Sequence, residues 1–308
     1  MKIHFDNVNM RAGTGPNVFA SRLARGIFEA GHIVVESGPE ADLSLVFIEP
    51  SGAALAKRVV QRLDGIWFKP NEFYTKNQAI KQLYFKANKI IWQSLFDQQM
   101  TTKWWGGRAG IIINNGIELN PIKTITIPEL AKIRETYDQV FVCSSNWHPQ
   151  KRLSSNLKLF DHIRKTQYPN SCLFVMGNHP DVMTTDPHVF YTGGQPFEVY
   201  SQIFAISNWM IHLAWADHCP NVVIESLSQG TPVICSRVGG TQELVGQFGL
   251  ILNERSYNFE LTDYDNPPNI DVTQISFLPK KEELGPHIDI DIKNVVQKYI
   301  DTFQSVLS

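Results

Sequence analysis

The stretch Trp209–Glu243, WMIHLAWADHCPNVVIESLSQGTPVICSRVGGTQE, leaves the chain few folds to adopt. Trp209 to Trp215 is an apolar run of strand length. Cys219-Pro220-Asn221 then reads as a helix start, with Pro220 near the first turn and Asn221 able to cap. That helix runs to about Gln229, where Gly230 is a natural stop. A second short strand, Pro232 to Ser236, leads to Gly239-Gly240, where backbone can approach a ligand closely. Strand, loop, helix and strand in this order predict a parallel α/β sheet, and such sheets bind ligands beyond the carboxyl ends of their strands.

Two acids sit at that end. Asp217 stands on the approach loop and Glu225 about one turn into the helix, too far in to be only a cap. The helix amino terminus at Asn221, Val222 and Val223 offers N–H groups to an anion such as a diphosphate. A carboxylate placed like Glu225 can accept two hydrogen bonds from a ribose diol. Asp217 is placed to hold sugar hydroxyls. The combination suits a sugar joined to a nucleotide through a diphosphate.

The whole run resembles the E-x7-E segment of the retaining family 4 glycosyltransferases. Asp217 takes the first acidic position, which is more often Glu, and Glu225 the second; Pro-Asn-Val-Val, Glu-Ser-Leu-Ser-Gln-Gly-Thr-Pro-Val-Ile and Gly239-Gly240…Glu243 match the usual continuation. The resemblance implies an α/β chain of the GT-B fold, with two Rossmann-like domains whose parallel sheets face an interdomain cleft. It also implies transfer of a sugar from a UDP- or GDP-linked donor, with retention of anomeric configuration. Cofactors are expected to be none, metal included.

Bulk properties are compatible with this. A chain of 308 residues suits two α/β domains better than a single core. A formal net charge of −2 argues against nucleic acid as a partner. Cys143, Cys172, Cys219 and Cys235 are scattered, form no C-x-x-C pair and follow no signal peptide, which points to reduced thiols and a cytoplasmic location. No apolar run approaches 18 residues, so no transmembrane segment is expected, while peripheral membrane contact stays open.

Residues 1–119 alternate short apolar runs with helical patterns and are expected to form the acceptor-side domain. Strands are predicted at Lys2–Phe5, Ile33–Val35, Leu43–Ile48, Gly65–Phe68, Lys89–Trp92 and Gly110–Ile113. The loop Arg11-Ala-Gly-Thr-Gly-Pro-Asn17 follows the first of these, and Val18, Leu23, Ile27 and Phe28 form the apolar face of the next helix. Gly13 and Gly15 either serve a tight turn or bring backbone N–H groups to a phosphate or an acceptor sugar. Asp64 either pairs with Arg62 at a helix-to-strand turn or faces the acceptor.

Residues 120–137 read as a linker containing a short helix, Glu129–Tyr137. Residues 138–290 are expected to form the sugar-nucleotide domain, with strands at Gln139–Cys143, Cys172–Met176, Val189–Tyr191, Trp209–Leu213 and Val233–Cys235. A terminal helix over 291–308 would return to the first domain, as the resemblance implies. In the family, the turn after the first strand of the second domain carries an Arg and, five residues later, a Lys. Here Asn146 stands at the Arg position, Lys151 matches, and Arg152 follows it. Arg152 is therefore expected to supply the missing positive charge. Gly194, in Tyr191-Thr-Gly-Gly-Gln-Pro196, resembles the glycine turn below the nucleotide base.

The catalytic group is thus expected to be Asp217, Lys151 and Arg152, with Glu225, Asn221, Val222, Val223, Asn146 and Gly194 on the donor. The partners expected are that donor and a glycan or lipid-linked acceptor. Asp263-Tyr264-Asp265 and Asp289-Ile290-Asp291 are D-x-D patterns, but both lie in a polar tail, and Asp291 reads more simply as a helix start. Two rivals stay open: a GT-B epimerase or hydrolase, and a non-catalytic sugar-nucleotide-binding protein. A dinucleotide-binding dehydrogenase is disfavoured by the lack of G-x-G-x-x-G.

Overall fold

The computed structural model describes residues 1–13 and 15–308. The chain divides into two compact units. The first comprises Met1–Glu118, Asn258–Asp263 and Asp289–Ser308, and the second Leu119–Tyr257 and Tyr264–Ile288. Segment 120–137, read from sequence as a linker, is laced onto the second unit. The Gln202 side-chain oxygen accepts from Thr126 N–H at 2.7 Å, and that of Gln229 accepts from Ile122 N–H at 2.8 Å. Residues 258–263, expected in the second domain, belong instead to the first, where Phe68 carbonyl accepts from Thr262 N–H at 3.0 Å.

The first unit holds a six-stranded parallel sheet. Its strands are β1 (Lys2–Asp6), β2 (Ile33–Val35), β3 (Leu43–Phe47), β4 (Val59–Leu63), β5 (Lys89–Trp92) and β6 (Gly110–Ile112), in the order β2-β1-β3-β4-β5-β6. β4 corrects the reading of Gly65–Phe68. The sequence signal was masked because Gln61 and Arg62 both lie fully buried in that strand. Gln61 donates to the Ile48 and Ile80 carbonyls, and Arg62 to Tyr299 Oη at 3.2 Å and Asn115 Oδ1 at 2.6 Å. The Arg62 guanidinium also stacks 4.5 Å from the Phe19 ring, a favourable place for a desolvated cation. Arg62 is thus bound up inside the core, within β4 and not at a helix-to-strand turn.

The helix Gly15–Glu29 packs Phe19, Leu23 and Ile27, spaced by four, against the C-terminal helix Ile292–Leu307. Phe28 falls off that face and is exposed, which corrects its predicted place in the core. Gly26 lets the two helices approach: a Cβ there would lie within 2.4 Å of Val296 Cγ2. Asp291 caps the terminal helix by accepting from Lys293 N–H at 3.0 Å.

The second unit holds β7 (Gln139–Ser144), β8 (Ser171–Met176), β9 (Val189–Gly193), β10 (Trp209–His212), β11 (Val233–Ser236) and β12 (Gly249–Leu252). All pairings are parallel and the order is β12-β11-β10-β7-β8-β9. β12 was not foreseen; its four residues, Gly-Leu-Ile-Leu, form an edge strand. The order places β7 and β10 side by side while the chain winds away from them in opposite directions. That is a topological switch point, where the loops beyond the two carboxyl ends part and leave a crevice.

Candidate active site

The switch point of the second unit gathers the loop after β7 and the loop after β10. Their backbones are joined: Trp215 N–H donates to Gln150 carbonyl at 2.9 Å, and Gln150 Nε2 donates to Trp215 carbonyl at 2.9 Å. From the other side, Ala216 N–H donates to Val238 carbonyl at 3.0 Å and Gly240 N–H to Asp217 carbonyl at 2.7 Å. Gly239 has φ +129°, and a Cβ on it would lie 2.6 Å from Asp217 carbonyl oxygen, so only glycine fits there without a backbone shift. Arg152, His179 and Ala216 all have positive φ, at 52°, 57° and 52°. All three follow strand carboxyl ends, where strained backbone tends to mark functional loops.

Asp217 is the centre of the polar network. Its Oδ2 accepts from Lys151 Nζ at 2.6 Å and from His212 Nε2 at 3.1 Å. Burial acts to raise the Asp217 pKa, but the Lys151 charge and the His212 contact outweigh it and hold the carboxyl far below its usual range. The group is ionised, and Lys151 is its counter-charge. His212, the last residue of β10, was not singled out from sequence; a polar residue ending an otherwise apolar strand was the available signal. His148, on the same loop as Lys151, is half-buried, and burial and the Lys151 charge hold its pKa below 6.5.

Arg152 departs from expectation. It sits next to Lys151 in the chain, yet its left-handed backbone turns the side chain inward. Its guanidinium donates to Glu254 Oε2 at 2.8 Å and to Pro268 carbonyl at 2.6 Å. Only 3% of the Arg152 side chain and 1% of Glu254 is exposed. The predicted role of Arg152 on a diphosphate is therefore corrected: its charge is already neutralised inside the unit. Asn146 is exposed, just past β7.

The helix Asn221–Ser228 starts with Pro220 as its N-cap, so Asn221 is the first helical residue and not the cap. Val223 N–H donates to Pro220 carbonyl at 3.1 Å, which removes Val223 as an anion donor and leaves Val222 beside the amino terminus. Glu225, the fifth helical residue, is half-buried and electrostatically close to Tyr200. Burial raises the Tyr200 pKa, a Ser144 side-chain hydrogen bond lowers it, and the Glu225 charge raises it. Gly194 is exposed, with its N–H donating to Asn178 Oδ1 at 3.0 Å.

In the first unit, Gly13 lies in open space beyond β1 and Gly15 begins the first helix. Thr14, within that predicted loop, lies outside the described residues. β1 and β3 are the switch point of this sheet. Asp6 closes it by accepting from Ser51 N–H at 2.9 Å, and Asn7 and Ile48 have positive φ. Asp64 is half-buried one residue beyond β4. Nearby, an open depression of about 440 Å³ is lined by Glu49, Trp67, Lys76, Gln78 and Gln82, among others. Among the described residues, no group of three or more His, Cys, Asp or Glu side chains could hold a metal ion, and no helix is long and apolar enough to cross a membrane.

Solved structures match this architecture along its whole length. HepE from Anabaena, in complex with UDP-glucose, is 16% identical with a TM-score of 0.66, over 99% of this chain and 100% of its own. The fold is GT-B. Sucrose-phosphate synthase from Thermosynechococcus elongatus shares the GT-B architecture at 13% identity and a TM-score of 0.67, covering 99% and 98% of the two chains. WaaG, a glycosyltransferase involved in lipopolysaccharide biosynthesis, matches at 11% and 0.63, covering 100% and 94%. Residues 129–256, most of the second GT-B unit, match the family model described as Glycosyl transferases group 1. Among curated proteins, no sequence matches the chain.

Proposed function

We propose that this chain is a glycosyltransferase that takes a sugar from a nucleoside-diphosphate donor and passes it to a hydroxyl acceptor. The observation that carries the reading is the Lys151–Asp217 pair at the β7/β10 switch point, next to the amino terminus of the helix that bears Glu225. Switch-point crevices bind nucleotides. Here one ammonium and a helix amino terminus lie where a diphosphate needs neutralising, and an acid lies one turn further for a ribose diol. The group 1 family match over residues 129–256 and the UDP and UDP-glucose complexes of HepE support the same donor class.

In the proposed reaction, the bond from the anomeric carbon to the diphosphate oxygen breaks, the acceptor oxygen bonds to that carbon, and the acceptor's proton passes to the departing diphosphate oxygen. Lys151 and the helix amino terminus stabilise the charge on the leaving diphosphate. Retention of configuration rests on the family 4 resemblance alone. No metal is assigned a role, so EDTA should leave the rate unchanged. The acceptor is a glycan, a lipid-linked sugar or another hydroxyl. Trp67, with the Lys76 ammonium 4.0 Å over its ring, lines a depression with Glu49, Gln78 and Gln82, whose polar groups could meet acceptor hydroxyls.

A thermal-shift series with UDP-, GDP- and ADP-sugars tests the donor, because stabilisation grows with ligand concentration over Kd. No shift with any of them would end the proposal. A second reading is favoured by one observation: with Arg152 buried against Glu254 and Asn146 in place of an Arg, the site has one cation where the family has two. Binding without transfer, across a panel of saccharide acceptors, would identify a sugar-nucleotide-binding protein instead.

A further inference from the structure

Lys151 is a surface-loop lysine whose ammonium is nonetheless held in place. The loops on both sides of it are tied by backbone hydrogen bonds between Gln150 and Trp215 and between Asp217 and Gly240. What remains adjustable is the lysine's own four-carbon stem, which has more rotamer freedom to lose than most side chains. That freedom is removed by a single oxygen: Asp217 Oδ2 receives Lys151 Nζ at 2.6 Å and His212 Nε2 at 3.1 Å. The side chains of Lys151, Asp217 and His212 are only 19%, 12% and 4% exposed.

An ionised carboxylate can only accept, so Nε2 of His212 must carry the proton it shares with Asp217. His212 is the last residue of β10, a strand held between β7 and β11, so its ring is fixed to the sheet. Asp217, by contrast, lies on a loop, after Ala216 in the left-handed region. The order of support is sheet, then imidazole, then carboxylate, then ammonium.

We infer that His212 is a positioning residue: through Asp217 it fixes the Lys151 ammonium at the phosphate site, so that Asp217 acts on the lysine and not on the donated sugar. The inference rests on the proposed donor class only for what Lys151 then binds; the clamp itself can be tested without any ligand. It assigns Asp217 a different partner from the sugar hydroxyls that the sequence motif suggested.

The experiment compares His212→Phe, His212→Gln and Asp217→Asn with the unaltered protein. First, in the absence of ligand, an amine-directed acylating reagent is applied and the rate at Lys151 is followed by peptide mass spectrometry. His212→Phe and Asp217→Asn should each speed labelling by about fivefold, on the scale of one lost charge-assisted hydrogen bond. His212→Gln, whose amide can donate from nearly the same place as Nε2, should restore the slow rate. Second, Kd is measured for UDP, inorganic pyrophosphate and uridine. The same two variants should weaken UDP and pyrophosphate by about fivefold and leave uridine unchanged. Unchanged labelling in both His212→Phe and Asp217→Asn overturns the clamp, whatever binds. Faster labelling in those variants, with neither UDP nor pyrophosphate bound by the unaltered protein, upholds the clamp and overturns the donor instead. Loss of uridine affinity in step with UDP overturns it as well, since that is general damage to the site.

Discussion

Arg152 and Glu254 form an ion pair across 2.8 Å with almost no access to water, although they lie 102 residues apart in the chain. Glu254 completes its shell by accepting from Val238 N–H at 3.2 Å, and so ties the pair to the loop after β11. Burial draws the Arg152 pKa down, while the hydrogen bond and charge of Glu254 draw it back up. A buried pair contributes little net stability, but removing one partner strands the other's charge in a low-dielectric site. Arg152→Ala should therefore cost about 3–5 kcal/mol of stability, read from the urea midpoint. A protein with an unchanged midpoint but lost donor affinity would instead return Arg152 to the diphosphate.

Glu225 has a ligand role to defend. If its carboxylate accepts from a ribose diol, Glu225→Ala should weaken binding of the preferred nucleoside diphosphate by about 1–3 kcal/mol, the usual loss when polar partners go unpaired. Calorimetry decides this. An unaltered Kd would remove Glu225 from the donor.

Gly239 places the Asp217 backbone. Alanine there meets both a φ of +129° and the Asp217 carbonyl at 2.6 Å. Gly239→Ala should lower stability by about 1–3 kcal/mol through backbone strain. It should also increase labelling at Lys151, because Asp217 moves with the strand of backbone it sits on. A thermal melt within a degree of the unaltered protein would show that the loop has room the geometry denies.

Acid should destabilise the fold in two stages. His148 has a folded pKa below 6.5, so the unfolded chain takes up its proton first and stability declines as pH falls below 6.5. Asp217 has a folded pKa below 3.8, so its contribution is full above 3.8 and is lost as pH falls further. Urea midpoints from about pH 7 to pH 3 would show both. Asp217→Asn should flatten the lower stage, and a lower stage of the same depth in that variant would place the acid lability elsewhere.

Much of this protein is written in short-range pattern. Apolar runs of strand length at Lys89–Trp92, Ser171–Met176 and Trp209–His212 need no distant information, since period and β-propensity act within a few residues. The same is true of Asp217 and Glu225 flanking the start of a helix. Their spacing follows from one loop and one turn, and sequence alone could place both at a strand's carboxyl end.

Tertiary structure decided what the charged groups do. Lys151 and Arg152 are adjacent in sequence, yet one ammonium meets Asp217 at the crevice and the other cation is sealed against Glu254. Arg62 is solvated by Tyr299, 237 residues away, and its strand was hidden because that partner was invisible. A side chain's local pattern sets its backbone conformation. Its charge state and availability depend on burial and on which partner long-range pairing brings within 3 Å, and neither quantity is local.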